Sequence, residues 1–129
     1  MIVVDASALL EVLLQTPAAR RVSRFLFAPN ETLHAPHLID LEVAQVVRRY
    51  VRSAVVSAER GAEALTDLAD FPVTRYPHFV LLARIWHMRH SLTAYDAAYL
   101  ALAEALDAPL VTRDRAMART RSQARVEVV

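Results

Sequence analysis

Four acidic residues sit in short runs that structural demands alone do not account for: Asp5 in Ile2-Val3-Val4-Asp5-Ala6-Ser7-Ala8, Glu42 in Pro36-His37-Leu38-Ile39-Asp40-Leu41-Glu42, Asp96 in Thr93-Ala94-Tyr95-Asp96-Ala97-Ala98, and Asp114 in Leu110-Val111-Thr112-Arg113-Asp114. Asp5 and Asp114 follow apolar runs that read as strands. Glu42 and Asp96 lie among apolar residues on helical segments, where an isolated carboxylate is costly. Arg113 is the only arginine within these motifs, and lysine is absent. Two carboxylates about 4 Å apart repel by roughly 4 kcal/mol at an effective dielectric near 20. Acids gathered in this way call for a hard divalent cation such as Mg²⁺ or Mn²⁺, which oxygen ligands suit.

Each acid also has a local explanation. Asp5 and Asp114 fit helix N-cap positions, and Thr93-x-x-Asp96 matches a capping box. Glu42, six residues past Pro36, is too deep in its helix to cap it, and an ion pair with Arg49 or a solvated edge position is its simplest alternative role. The shared reading rests on placement. In an open parallel sheet, ligands bind beyond the carboxyl ends of the strands, where Asp5 and Asp114 would lie, with Asp96 at a helix start beside them and Glu42 closing the cleft.

The elements that must hold these acids alternate along the chain. Strands are expected over 2–4, 32–35, 109–112 and 126–129, with a short extended piece over 72–76. Helices are expected over 7–15, 17–27, 36–52, 57–71, 77–90, 93–106 and 114–120, with Pro17, Pro36 and Pro77 as openers. Strands alternating with helices predict a single α/β domain over residues 1–129, a sandwich with a mostly parallel sheet. On the third of these helices Asp40 falls on the apolar side, a position explained only by the helix start or the same cleft.

Composition removes several chemistries. The chain has no cysteine, which excludes thiolate catalysis and Cys-ligated zinc and points to a reducing, cytoplasmic setting. One glycine, Gly61, leaves no room for a P-loop or a dinucleotide fingerprint. All 15 basic residues are arginine, so Schiff-base chemistry is excluded, as are phosphorelay receivers and aspartyl phosphatases that rely on a lysine. His34-x-x-His37 and His87-x-x-His90 lack the i, i+4 spacing of a zinc-protease helix. No apolar run approaches the length of a membrane span, and Asp5 interrupts the first one, so neither a membrane anchor nor a signal peptide is expected. A hydrophobic fraction of 55% is rich for such a chain and suggests surface covered by a partner.

Taken together, Val4-Asp5-Ala6-Ser7-Ala8, Pro36 through Glu42 with Arg48-Arg49 following, Tyr95-Asp96-Ala97-Ala98-Tyr99-Leu100-Ala101 and Val111-Thr112-Arg113-Asp114 resemble the PIN-domain ribonucleases, and more narrowly the VapC toxins of bacterial toxin–antitoxin pairs. The resemblance runs through the whole chain. It implies a PIN-like three-layer sandwich, a metal-dependent endoribonuclease, and an active site of Asp5, Glu42, Asp96 and Asp114. Asp5 and Asp96 would be direct ligands of Mg²⁺, with Mn²⁺ as substitute, and Ser7 and Thr112 would support the acids. It further implies an RNA substrate, a VapB-type antitoxin and a homodimer. One departure stands out: residues 115–118 supply no further carboxylate, so a second ion would depend on bound substrate. The competing readings are a non-catalytic PIN-like binding module and a PIN nuclease of RNA processing that has no antitoxin.

Overall fold

Strands buried on both faces read as continuous apolar runs, and Ile2–Val4, the first strand (β1), is one, with all three residues buried. The computed structural model, which describes residues 1–129, places β1 at the centre of a five-stranded sheet. The other strands are β2 (Leu33–Pro36), β3 (Val73–Tyr76), β4 (Leu110–Thr112) and β5 (Val126–Val128), in the order β3-β2-β1-β4-β5. Every pairing is parallel. β2 and β4 are buried throughout like β1, whereas the edge strands β3 and β5 are largely part-exposed.

Seven helices complete three layers: α1 (Ala6–Leu13), α2 (Ala19–Leu26), α3 (Leu38–Arg52), α4 (Ala58–Asp70), α5 (Leu82–His87), α6 (Ala94–Leu106) and α7 (Arg115–Ala118), with a 3₁₀ turn over His78–Leu81. α6 packs on β1, β2 and β4. Residues 97–103 of this helix are all buried, four of them alanines, and small side chains let a helix approach a sheet closely. α1 packs against β4 and α3 against β2. α4 lies on α3 at Gly61, where an added Cβ would stand 2.7 Å from Val51 Cγ2.

Two expected boundaries move. Pro36 does not open α3 but ends β2, opposite Tyr76. Proline has no N–H to give the ladder, and the next bond comes from His37 N–H to the Tyr76 carbonyl, 2.8 Å. The long helix expected from Pro77 is a 3₁₀ turn followed by six residues of α-helix, in which only Ile85 is buried. Helices draw most of their stability from a packed face, and here there is little to pack.

Asp40 finds its explanation away from the cleft. As the third residue of α3 it accepts a fork of hydrogen bonds from Arg75 Nε and Nη2 on β3, at 2.8–3.0 Å. Glu104 plays a similar part on α6, taking Arg84 Nε at 2.6 Å, Ser122 Oγ at 2.7 Å and the Gln123 N–H at 3.0 Å. These partners, the Arg84 bond first, hold its carboxyl down at about 2. A depressed folded-state value stabilises the fold above the ordinary carboxyl range and ceases to do so as pH falls through it. Glu104→Gln should therefore lower thermal stability at neutral pH, by roughly 2 kcal/mol for a charged hydrogen-bond cluster. In melting curves taken across pH the gap to the unmodified chain should close between about 4.5 and 2.

Candidate active site

Asp5 is the residue after β1, and its N–H bonds the Val111 carbonyl of the neighbouring β4. It occupies the N-cap position of α1 with extended backbone angles, yet its carboxylate caps nothing. Instead Oδ2 accepts two hydroxyls, Ser7 Oγ at 2.5 Å and Thr112 Oγ1 at 2.7 Å. Each hydroxyl has one proton, and both are spent on Asp5. Their lone pairs accept in turn, Ser7 from the Arg113 N–H at 2.9 Å and Thr112 from the Asp114 N–H at 3.0 Å. The arrangement leaves Asp5 Oδ1 as the oxygen available to a ligand.

Asp114 follows β4 and caps α7, its Oδ1 accepting the Ala116 N–H at 2.7 Å. Its local role is therefore real, and it uses one oxygen only. At α6 the cap belongs to Thr93, whose hydroxyl accepts the Asp96 N–H at 3.2 Å, and no reciprocal bond from the Asp96 carboxylate completes a capping box. Glu42 makes no ion pair with Arg49. It accepts a 2.5 Å hydrogen bond from Tyr99 Oη.

All four acids line one cavity of about 960 Å³, together with Ser7. It opens beyond the carboxyl ends of β1 and β4. Because the chain leaves β1 toward β2 on one side and enters β4 on the other, this is the switch point where open parallel sheets bind ligands. The acids act on one another electrostatically. Burial raises the Glu42 carboxyl above its ordinary value, and the charges of Asp5 and Asp96 add to the rise. Burial likewise raises Asp96, with Asp5 and Asp114 contributing. Two cations line the cavity, Arg49 and Arg113. Arg113 is already engaged, with Glu11 at 3.1 Å and the Val129 carbonyl at 2.7 Å.

The donor set suits a hard cation: carboxylate oxygens at the floor, no thiolate, and no histidine in the lining. No three acidic or histidine side chains are drawn tightly enough together to form a closed cage. Mg²⁺ does not require one, since it keeps several waters and takes one or two carboxylates plus substrate phosphate. Asp5 and Asp96, on neighbouring elements and coupled by charge, fit that pattern.

Two features of the site come from residues other than the acids. Tyr99 is fully buried, and burial, then the charges of Glu42 and Asp5, push its hydroxyl far up, so that it stays a donor. Its signal in the sequence is the spacing Asp96 to Tyr99, i to i+3, which puts both on one helix face. Gln45 and Arg49 follow Glu42 along α3 in the same way and also line the cavity.

Known proteins resemble this chain in sequence and in fold. The family model described as the PIN domain matches residues 2–122. The chain is 46% identical to ribonuclease VapC9 of Mycobacterium tuberculosis, over 93% of this chain and 91% of that one. It is 38% identical to ribonuclease VapC12 of the same organism, over 100% and 99%. Among solved structures, that of M. tuberculosis VapC20, described as a sarcin-ricin loop cleaving toxin, superposes with a TM-score of 0.71 at 13% identity, covering 95% of this chain and 96% of that one.

The raised Glu42 carboxyl has a stability consequence. A folded-state value above the unfolded one favours the fold below the ordinary carboxyl range, and that advantage is lost as pH rises through the folded value. At neutral pH the ionised Glu42 therefore costs stability, and Glu42→Gln, which keeps an acceptor for Tyr99, should melt higher in chelator. The expected gain is a higher melting temperature at neutral pH. In melts at acidic pH the gain should disappear.

Proposed function

The chain belongs to the PIN-domain family and, within it, to the VapC ribonucleases, and on that premise we propose that it hydrolyses RNA phosphodiester bonds as the toxin half of a toxin–antitoxin pair, using Mg²⁺ held at Asp5 and Asp96. The observation that carries this reading is the convergence of Asp5, Glu42, Asp96 and Asp114, from four separate elements, on one cavity. Mn²⁺, with the same preference for oxygen, substitutes for Mg²⁺.

When bound, the ion lowers the pKa of water and offsets charge on the phosphate. The remaining steps belong to side chains. Ser7 and Thr112 lock Asp5 through Oδ2 and turn Oδ1 to the cleft. Tyr99 holds Glu42 through Oε2, which leaves Oε1 to act. Its raised carboxyl makes it a stronger base than an ordinary carboxylate, which suits it to take a proton from an attacking water. The water oxygen then bonds to phosphorus, the bridging P–O bond breaks, and the departing oxygen gains a proton from solvent. Asp114 steadies the loop that carries Thr112 and adds to the negative field that draws the cation.

The same reading includes partners. Leu38, Leu41 and Val46 line the cavity wall, and Leu41 is 75% exposed. That apolar rim supports a VapB-type antitoxin whose tail covers the cleft. Phe79, Val80, Leu82 and Trp86, all exposed on the 3₁₀ turn and α5, support a homodimer. No helix is long and apolar enough to cross a membrane, and the absence of cysteine supports a cytoplasmic setting.

Purified protein free of antitoxin, incubated with total RNA, should give discrete cuts with Mg²⁺ or Mn²⁺ and none with chelator. Asp5→Asn and Asp96→Asn should each cost roughly 10²–10⁴-fold in rate. Thr112→Val, which removes one donor to Asp5, should cost about 10–100-fold, as loss of a group supporting a metal ligand does. A folded protein that cuts no RNA in any metal would instead support a binding module. Cutting by a protein with no antitoxin encoded beside it would support RNA processing.

A further inference from the structure

Two side chains in the cavity have no partner that accounts for their position. Tyr95 directly precedes Asp96 at the start of α6. It lines the cavity and is 65% exposed, and its hydroxyl makes no hydrogen bond within the chain. What sets this ring apart is its place, open to solvent inside the cavity and beside a proposed metal ligand. Arg49 is the second. It lies two helical turns after Glu42, lines the cavity, and is in no salt bridge. Its guanidinium makes only a loose approach to the Tyr50 ring, at 6.0 Å. The other cation of the cavity, Arg113, is tied to Glu11 and Val129. Arg48, one residue before Arg49 and also exposed, does not reach the cavity.

An open aromatic face and an unpaired guanidinium are what a single nucleic-acid strand requires. Unpaired bases stack on aromatic rings, and a planar guanidinium takes phosphate through two hydrogen bonds. A cleft floored by carboxylates repels an RNA backbone unless a cation stands at its rim, and Arg49 is the free cation there. Resting on the ribonuclease reading above, we propose that Tyr95 and Arg49 are the substrate-positioning residues of this cleft. Tyr95 stacks an unpaired base and Arg49 grips a phosphate of the same strand, so that the intervening phosphodiester is set over Asp5 and Asp96. The assignment makes an unstacked strand the substrate form and excludes a continuous duplex, whose bases offer no free face.

The test is binding in chelator, where no cleavage is expected, with cleavage of total RNA in Mg²⁺ run in parallel. The probes are an oligoribonucleotide of uridine and 2-aminopurine riboside, as a single strand and annealed to its complement. The single strand should bind more tightly than the duplex and its 2-aminopurine emission should change on binding, which reports stacking. Tyr95→Phe should keep both effects. Tyr95→Leu should lose the emission change and bind about 10-fold more weakly. Arg49→Ala should bind about 10-fold more weakly, and the slope of log K against log salt should flatten by about 0.7, the value for one phosphate contact on a single strand. Arg48→Ala, with the same charge change on the same helix, should leave affinity within about twofold.

If Tyr95→Leu retains the emission change, or Arg48→Ala weakens binding as much as Arg49→Ala does, the assignment falls while metal-dependent cutting by the unmodified chain still stands. If Tyr95→Leu binds RNA normally but no longer binds the product of an adjacent antitoxin gene, the ring serves a protein partner and the proposal is overturned. A chain that cuts no RNA and binds neither probe overturns this assignment together with the ribonuclease reading.

Discussion

The site depends on one buried oxygen, Oδ2 of Asp5, and the two hydroxyls that donate to it. A residue in the N-cap position would ordinarily turn its carboxylate back to the first helical turn, an interaction whose loss costs about 1 kcal/mol. Asp5 forgoes it, and α1 starts through backbone bonds from Ala8 and Leu9 to the Asp5 carbonyl, both at 3.1 Å. What replaces the cap is two hydrogen bonds to a charged oxygen, about 1.5–3 kcal/mol each. The balance favours the observed arrangement, and it joins the start of α1 to the last residue of β4 across 105 to 107 residues of sequence. Because Ser7 and Thr112 also accept the N–H groups of Arg113 and Asp114, the same oxygen organises the loop that carries the fourth acid.

Charge is distributed around this point with some economy. Two arginines outside the cleft are matched with acids outside it, Arg75 with Asp40 and Arg84 with Glu104. Arg113, which reaches the cavity, is drawn to Glu11. The four site carboxylates are thus left without a basic partner, and the Glu42 and Asp96 carboxyls are raised in consequence of burial and mutual repulsion. Structural ion pairs and an uncompensated acidic cluster in one small chain are hard to reconcile with accident, since isolated buried carboxylates are costly. Tyr99 relieves part of that cost with a neutral hydroxyl, which leaves the cluster's net charge intact.

Much of this was legible from residues alone because the signals are local. Val4-Asp5 and Thr112-Arg113-Asp114 place acids just past apolar triplets, and parallel topology carries those positions to one edge. Glu42 was legible as an acid too far from its helix start to cap it. The sequence was less informative wherever the deciding partner lies far along the chain. Asp40 looked misplaced because Arg75 lies 35 residues away on β3. Tyr99 is buried, and only the approach of α3 to α6 reveals that its hydroxyl serves Glu42. Pro36 and Pro77 misled for different reasons: Pro36 is taken up by the end of β2 just before α3 begins, and the residues after Pro77 have too little to pack against for a long helix to form.

Burial also separates what fixes the site from what meets its ligand. Thr112 and Tyr99 are wholly inaccessible and Asp5 nearly so, and close-packed surroundings hold such groups to one rotamer. Glu42 and Asp96 are half-buried, with one side on the core and the other on the cavity. Tyr95, Leu41 and Arg49 are exposed at the rim. Rotamer freedom increases outward along this series, and tolerance of substitution should increase with it. Changes at the buried tier disturb acid geometry and fold together, since the same bonds serve both. Changes at the rim leave in place the bonds that hold the acids, because no rim side chain takes part in them.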